Sequence, residues 1–134
     1  MATLERLKLK QAQCIILPND RWHLKVDVSF HNQVFTGELI SYSEDNNFEA
    51  MAIATLKAVS CLLPEHVSMN LADAGQTYSY KTEMGIFIVV IQVVEGTTTK
   101  YVSGSSLISL PIMHAPVKAV FNAINRTLVR HLPS

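Results

Sequence analysis

The sequence predicts an α+β domain: two strand-strand-helix repeats, forming an antiparallel sheet with two helices packed on one face. Three observations predict it. Several segments alternate apolar and polar residues, the period of a half-buried strand. Two other segments carry alanine at every fourth position, the spacing of one helix face. The second alanine set also repeats the first at a shift of 65 positions, placing Ala50, Ala54 and Ala58 on Ala115, Ala119 and Ala123. With 134 residues the chain is read as one domain spanning 1–134.

Each element has its own warrant. Leu4, Leu7 and Leu9 lead into Cys14-Ile15-Ile16-Leu17, a first strand ended by Pro18-Asn19-Asp20. From Trp22 to Phe30 the alternation is regular, with Trp22, Leu24, Val26, Val28 and Phe30 on one face. His31-Asn32 turns the chain, and Val34 to Tyr42 returns as a strand with Gly37 inside it, marking a bulge or a close approach. The polar run Ser43 to Asn47 is rich in N-cap residues, so a helix is expected from Asn47 to Leu63, ended by Pro64. His66 to Ala74 reads as a strand, Gly75 as a turn, and Gln76 to Glu83 as polar and only weakly strand-like. Ile86 to Val94 is a strongly apolar strand, Glu95 to Thr99 a hairpin loop, and Lys100 to Leu110 the returning strand. Pro111 precedes the last helix, expected to run to His131.

The repeat extends beyond the alanines. Leu56, Val59 and Leu63 fall on Phe121, Ile124 and Leu128, and Val26 and Val28 fall on Ile91 and Val93. Val34-Phe35-Thr36-Gly37 matches Tyr101-Val102-Ser103-Gly104, two positions further on because the second hairpin is longer. Repeat one spans about residues 20–64 and repeat two about 85–131. One such unit cannot bury its apolar faces alone, whereas two packed together can.

Composition narrows the function classes. Lys plus Arg and Asp plus Glu both number 11, a formal charge of zero, which argues against nucleic acid as the main partner. Charged residues are 16% against roughly 25% in ordinary globular chains. The chain is therefore charge-poor, while its 49% hydrophobic content excludes disorder. Cys14 and Cys61 belong to no C-x-x-C pair and read as buried, reduced thiols. No apolar run approaches the roughly 20 residues needed to cross a bilayer, and no secretory leader is apparent. The expectation is a soluble cytoplasmic protein with no membrane role.

Chemistry-bearing patterns are sparse. Ser103, Ser105 and Ser106 surround Gly104, but a G-x-S-x-G elbow is absent, so no catalytic serine is assigned. His23, His31, His66, His114 and His131 show no H-x-x-x-H or H-E-x-x-H spacing, so no metal is expected. Glu44, Asp45 and Glu49 suit a helix N-terminus, whose dipole welcomes carboxylates. No phosphate-binding loop occurs, and no cofactor is expected. Arg126 and Arg130 complement the last helix's C-terminal dipole. Asn122 and Asn125 share a face of that helix, which is either solvated or a hydrogen-bonding interface.

The stretch from Gly104 to Leu128, above all Lys118-Ala119-Val120-Phe121-Asn122-Ala123-Ile124-Asn125-Arg126, resembles the end of the C-terminal regulatory domain of 2-isopropylmalate synthase and citramalate synthase. The repeat architecture extends the resemblance to about residues 20–131. It implies a domain that dimerises and binds a small effector near its strand-to-helix loops, without implying synthase activity. The family's Gly-x-Gly-Pro loop is missing: Gly37 precedes Glu38-Leu39-Ile40, and Gly104 precedes Ser105-Ser106-Leu107.

The resulting expectation is a non-catalytic, dimeric regulatory module that binds a small-molecule effector or a partner protein. The alternatives are a ligand-free dimerisation or scaffold module and, more remotely, a small enzyme. The expected effector site lies between the two strand-to-helix loops, with Gly37, Glu38, Asn47, Gly104, Ser105 and Ser106. There, glycines permit close approach and helix starts favour a carboxylate. Asn122, Asn125 and Arg126 are the expected interface.

Overall fold

The computed structural model describes residues 7–131; Leu4, read as part of the first strand, lies outside them. The order is β1 (Lys8–Leu17), β2 (Arg21–Phe30), β3 (Gln33–Ser41), a short 3-10 turn, α1 (Asn47–Ser60), β4 (Val67–Ser79), β5 (Met84–Glu95), β6 (Thr98–Leu107) and α2 (His114–Val129). The protein is α+β. Its strands form two antiparallel three-stranded sheets, ordered β1-β2-β3 and β4-β5-β6, in place of the single sheet expected.

Each repeat thus has three strands before its helix, one more than the strand-strand-helix unit expected, because the strands read at Cys14–Leu17 and His66–Ala74 join the repeats they were left outside. The added strand is β1 in repeat one and β4 in repeat two. Gly75 does not turn the chain but lies within β4, paired with Ile88, and the polar segment after it continues the ladder through Ser79–Met84. The hydrogen-bonded edge of β5 imposes the strand where the residues' own pattern is weak. Both added strands carry an irregularity against their neighbour, between Leu9 and Gln11 and between Leu71 and Asp73.

The central strands alternate as expected. Leu24, Val26 and Val28 of β2 and Phe87, Val89, Ile91 and Val93 of β5 are buried. Tight turns flank β2, where Asn19, Asp20, His31 and Asn32 all take positive φ. Asn and Asp tolerate that conformation better than most residues, because their short side chains hydrogen-bond locally. Helix α1 stops at Ser60, three residues short of the expected end. Cys61, Leu62 and Leu63 continue as turns donating to the carbonyls of Ala58, Val59 and Ser60.

Both alanine stripes are buried, and their neighbours explain them. A Cβ on Gly37 would overlap the Ala54 carbonyl oxygen and stand 2.8 Å from the Ala58 amide nitrogen. A Cβ on Gly104 would overlap the Ala119 carbonyl oxygen and crowd the Ala123 amide. In each repeat the helix backbone rests directly on a strand glycine, and both the glycine and the alanines are needed to let it that close.

The rest of each helix serves the other repeat. Helix α1 packs on β2 and β3 and also on β4 and α2, while α2 packs on β5 and β6 and touches β1. Phe48 of α1 meets Phe87 of β5 edge to face, with ring centroids 5.5 Å apart. One contiguous apolar core takes residues from both repeats.

Gly37→Ala and Gly104→Ala are each expected to destabilise the protein by about 1–3 kcal/mol, the overpacking range. Gly75→Ala, where nothing stands within 4 Å of an added Cβ, should stay within about 0.5 kcal/mol. Urea denaturation of the three variants measures this.

Candidate functional site

The two strand-to-helix loops come together across the repeat boundary. The 3-10 turn and the first residues of α1 contribute Glu44, Asp45, Asn47 and Phe48, and the segment before α2 contributes Ile112 and Met113. Cys14 and Ile16 of β1, Trp22 of β2 and Gln76 of β4 complete a cleft of about 440 Å³. Its lining therefore comes from both repeats. An apolar body of Trp22, Phe48, Ile112 and Met113 is rimmed by the carboxylates of Glu44 and Asp45.

Asn47 is the polar group at the bottom of this arrangement. It is 4% exposed, and its Nδ2 donates a long contact to Cys14 Sγ at 3.7 Å. Its Oδ1 is buried with no hydrogen-bond partner. A buried acceptor left unpaired costs about 1–3 kcal/mol, so the position is not optimised for stability. Burial, with a smaller push from the Glu44 carboxylate, raises the Cys14 thiol above its ordinary pKa. The thiol therefore stays protonated at neutral pH and is a poor nucleophile.

The helix starts do not provide the carboxylate cradle expected of them. Asn46 and Asn47 donate their amides to Ser43 and Glu44 carbonyls. His114 and Ala115 donate theirs to Pro111 and Ile112 carbonyls at 3.0 and 3.1 Å. These N–H groups are used within the turns, and the nearby acidic side chains add negative charge.

Of the six expected effector residues, Asn47 lines this cleft. Gly37 and Gly104 lie in different sheets, each with its open side filled by its own helix. The helix backbone thus occupies the space a ligand would need. Glu38 lies on the outer face of its sheet, with Oε2 3.4 Å from His23 Nε2, while its backbone carbonyl accepts from Lys57 Nζ. Ser105 is exposed and Ser106 half-buried on β6. Among the expected interface residues, Asn122 donates Nδ2 to the Ser105 carbonyl at 2.7 Å, a bond within its own repeat. Asn125 is half-buried and Arg126 exposed.

The cysteines, read as buried thiols, are both free, but Cys14 is half-buried and Cys61 exposed. Cys61 follows the shortened α1 and so escapes the core. No group of three or more His, Cys, Asp or Glu placed to hold a metal ion occurs among the described residues. Among them no helix is long and apolar enough to cross a membrane. Trp22, Phe48, Gln76 and Met113 had no local signal to mark them as neighbours, because the cleft exists only once the repeats pack.

A second polar cluster ties the end of α2's chain to repeat two. His131 Nε2 stands 3.2 Å from Glu95 Oε1, Lys100 Nζ lies 3.7 Å from the same oxygen, and the His66 ring packs edge to face against His131. The His131 hydrogen bond holds the Glu95 carboxyl below its usual range, against a smaller upward push from desolvation. Lys100, His131 and Arg130 add favourable charge.

A carboxyl with a depressed folded-state pKa contributes stability above its unfolded pKa and loses it as pH falls through the folded value. The stability gap between the wild type and Glu95→Gln is therefore expected to be present near pH 6. It should shrink as acidification passes below the ordinary glutamate pKa of about 4.3. Thermal melts of both proteins across that range check this.

No family model matches the chain and no curated protein matches it.

Proposed function

We propose that the chain is a non-catalytic, dimeric regulatory module that binds a small-molecule effector in the inter-repeat cleft. The resemblance of its last helix to the regulatory domain of the isopropylmalate and citramalate synthases supports this reading, as does the two-repeat architecture. The observation that carries it is the unpaired Asn47 Oδ1, a buried acceptor in a cleft built jointly by both repeats. A ligand that supplies a donor there recovers the desolvation cost the free protein bears. Because both repeats line the cleft, such a ligand also ties them together, which is how occupancy becomes a signal.

The cleft's chemistry defines the ligand. An orphan acceptor and an acidic rim select an N–H donor or a cationic amine, and Trp22, Phe48 and Met113 select an apolar body beside it. An amino acid offered by its ammonium end, or a simple hydrophobic amine, has both features. A protonated Cys14 and the lack of a base-nucleophile pair at the site favour binding over covalent chemistry. A cytoplasmic setting belongs to the same reading.

The test is a thermal-shift screen of the proteinogenic amino acids and hydrophobic amines. A binder at 100 times its dissociation constant should add about 2.7 kcal/mol of stability. Asn47→Leu removes the unpaired oxygen while keeping similar volume. It is expected to match or exceed the wild type's stability and to abolish the ligand-induced shift. A shift that survives in Asn47→Leu would place the ligand elsewhere. If no ligand produces a shift, the ligand-free scaffold remains.

A further inference from the structure

The charge of the inter-repeat cleft is one-sided. Glu44 and Asp45 line it, and no Lys, Arg or His does. Its other polar groups, on Cys14, Trp22, Asn47 and Gln76, are neutral. The Glu44 charge is felt inside the cleft, where it adds to the burial that holds the Cys14 thiol protonated. Within the same lining Asn47, 4% exposed, keeps a buried oxygen without a donor.

We infer that the cleft takes a small hydrophobic amine that lacks a carboxylate, and discriminates against the corresponding free amino acid. This rests on the ligand-binding reading above and narrows it to one class. An ammonium is served in three ways. The rim carboxylates offset its charge, the rings of Trp22 and Phe48 attract a cation, and Asn47 Oδ1 lacks a donor. The cleft's size, about 440 Å³, falls within the range of about 300–1,000 Å³ typical of small-molecule sites.

A carboxylate finds no such reception. In an amino acid it stands on the carbon that bears the ammonium, so it enters wherever the ammonium does. The backbone N–H groups of Asn46, Asn47, His114 and Ala115 are already bonded within their turns. Gln76 offers a neutral amide, which does not offset a charge. Turned outward, the carboxylate meets Ile16 and Ile112, 78% and 46% exposed in the same lining. Two carboxylates about 6 Å away oppose it by about ten-fold in affinity, even at the dielectric constant of water. The aromatic rings that attract a cation repel an anion over their faces.

Three probes that share one benzyl group isolate the carboxylate: 2-phenylethylamine, phenylalaninamide and phenylalanine, titrated calorimetrically near pH 6, where each carries an ammonium. The first two are expected to bind. Phenylalanine is expected to bind about ten-fold or more weakly than phenylalaninamide, which matches its shape without the negative charge. Glu44→Gln combined with Asp45→Asn should weaken 2-phenylethylamine about ten-fold and bring phenylalanine level with phenylalaninamide. Both positions are exposed, and circular dichroism establishes that the double variant is folded. Should the pair unfold the chain, the single variants are titrated in its place, each expected to narrow the gap about three-fold. Phenylalanine bound as tightly as phenylalaninamide overturns this inference and leaves the ligand-binding reading standing. A gap that persists in the folded variants overturns it as well, since the rim acids are then not its source. No binding of any of the three probes overturns it, and a blank amino-acid and amine screen overturns the reading beneath it too.

Discussion

In both repeats, backbone rests on backbone: the Gly37 strand lies against the Ala54–Ala58 stretch of α1, and the Gly104 strand against Ala119–Ala123 of α2. Much of the architecture depends on that approach. Small residues on both sides let each helix sit low on its own sheet. The helix keeps the rest of its circumference for the other repeat, which is why α1 buries Met51, Leu56 and Val59 besides its alanines. A helix raised by a single methyl group would lift the cross-repeat contacts, including the Phe48–Phe87 pair, with it.

The repeats agree where they face the core and diverge where they do not. Leu24, Val26 and Val28 correspond to Val89, Ile91 and Val93, all fully buried. Core positions tolerate only swaps that keep volume and patterning, so they stay similar. The outer faces carry no such constraint. There β2 carries His23, Lys25, Asp27 and Ser29, whereas β5 carries Ile88, Val90, Gln92 and Val94.

The inter-repeat cleft has the marks of a site that gives up stability. Asn47 Oδ1 is buried without a partner, and Cys14 is held as a neutral thiol beside an acidic rim. A scaffold selected for stability alone would fill that position with an apolar side chain. In the proposed reading, the unpaired oxygen is matched by a ligand's donor, and the cost carried by the free protein becomes the source of ligand affinity.

Local chemistry in the sequence determined the class, the two central strands, both helices and the repeat register. These follow from alternation, alanine spacing, and Pro and Asn punctuation, all of which act over a few residues. It also marked Gly37 and Gly104 as close-approach positions, although what approaches them is a helix. Tertiary structure decided the rest. It made Gly75 a strand residue through the ladder offered by β5, divided the strands into two sheets, and ended α1 at Ser60. It brought Cys14, Trp22, Asn47, Gln76 and Met113 together from distant parts of the chain. No pattern in those residues announces a cleft, because a cleft between repeats is set by how two cores dock. That docking is a balance of long-range packing contacts, which no local period encodes.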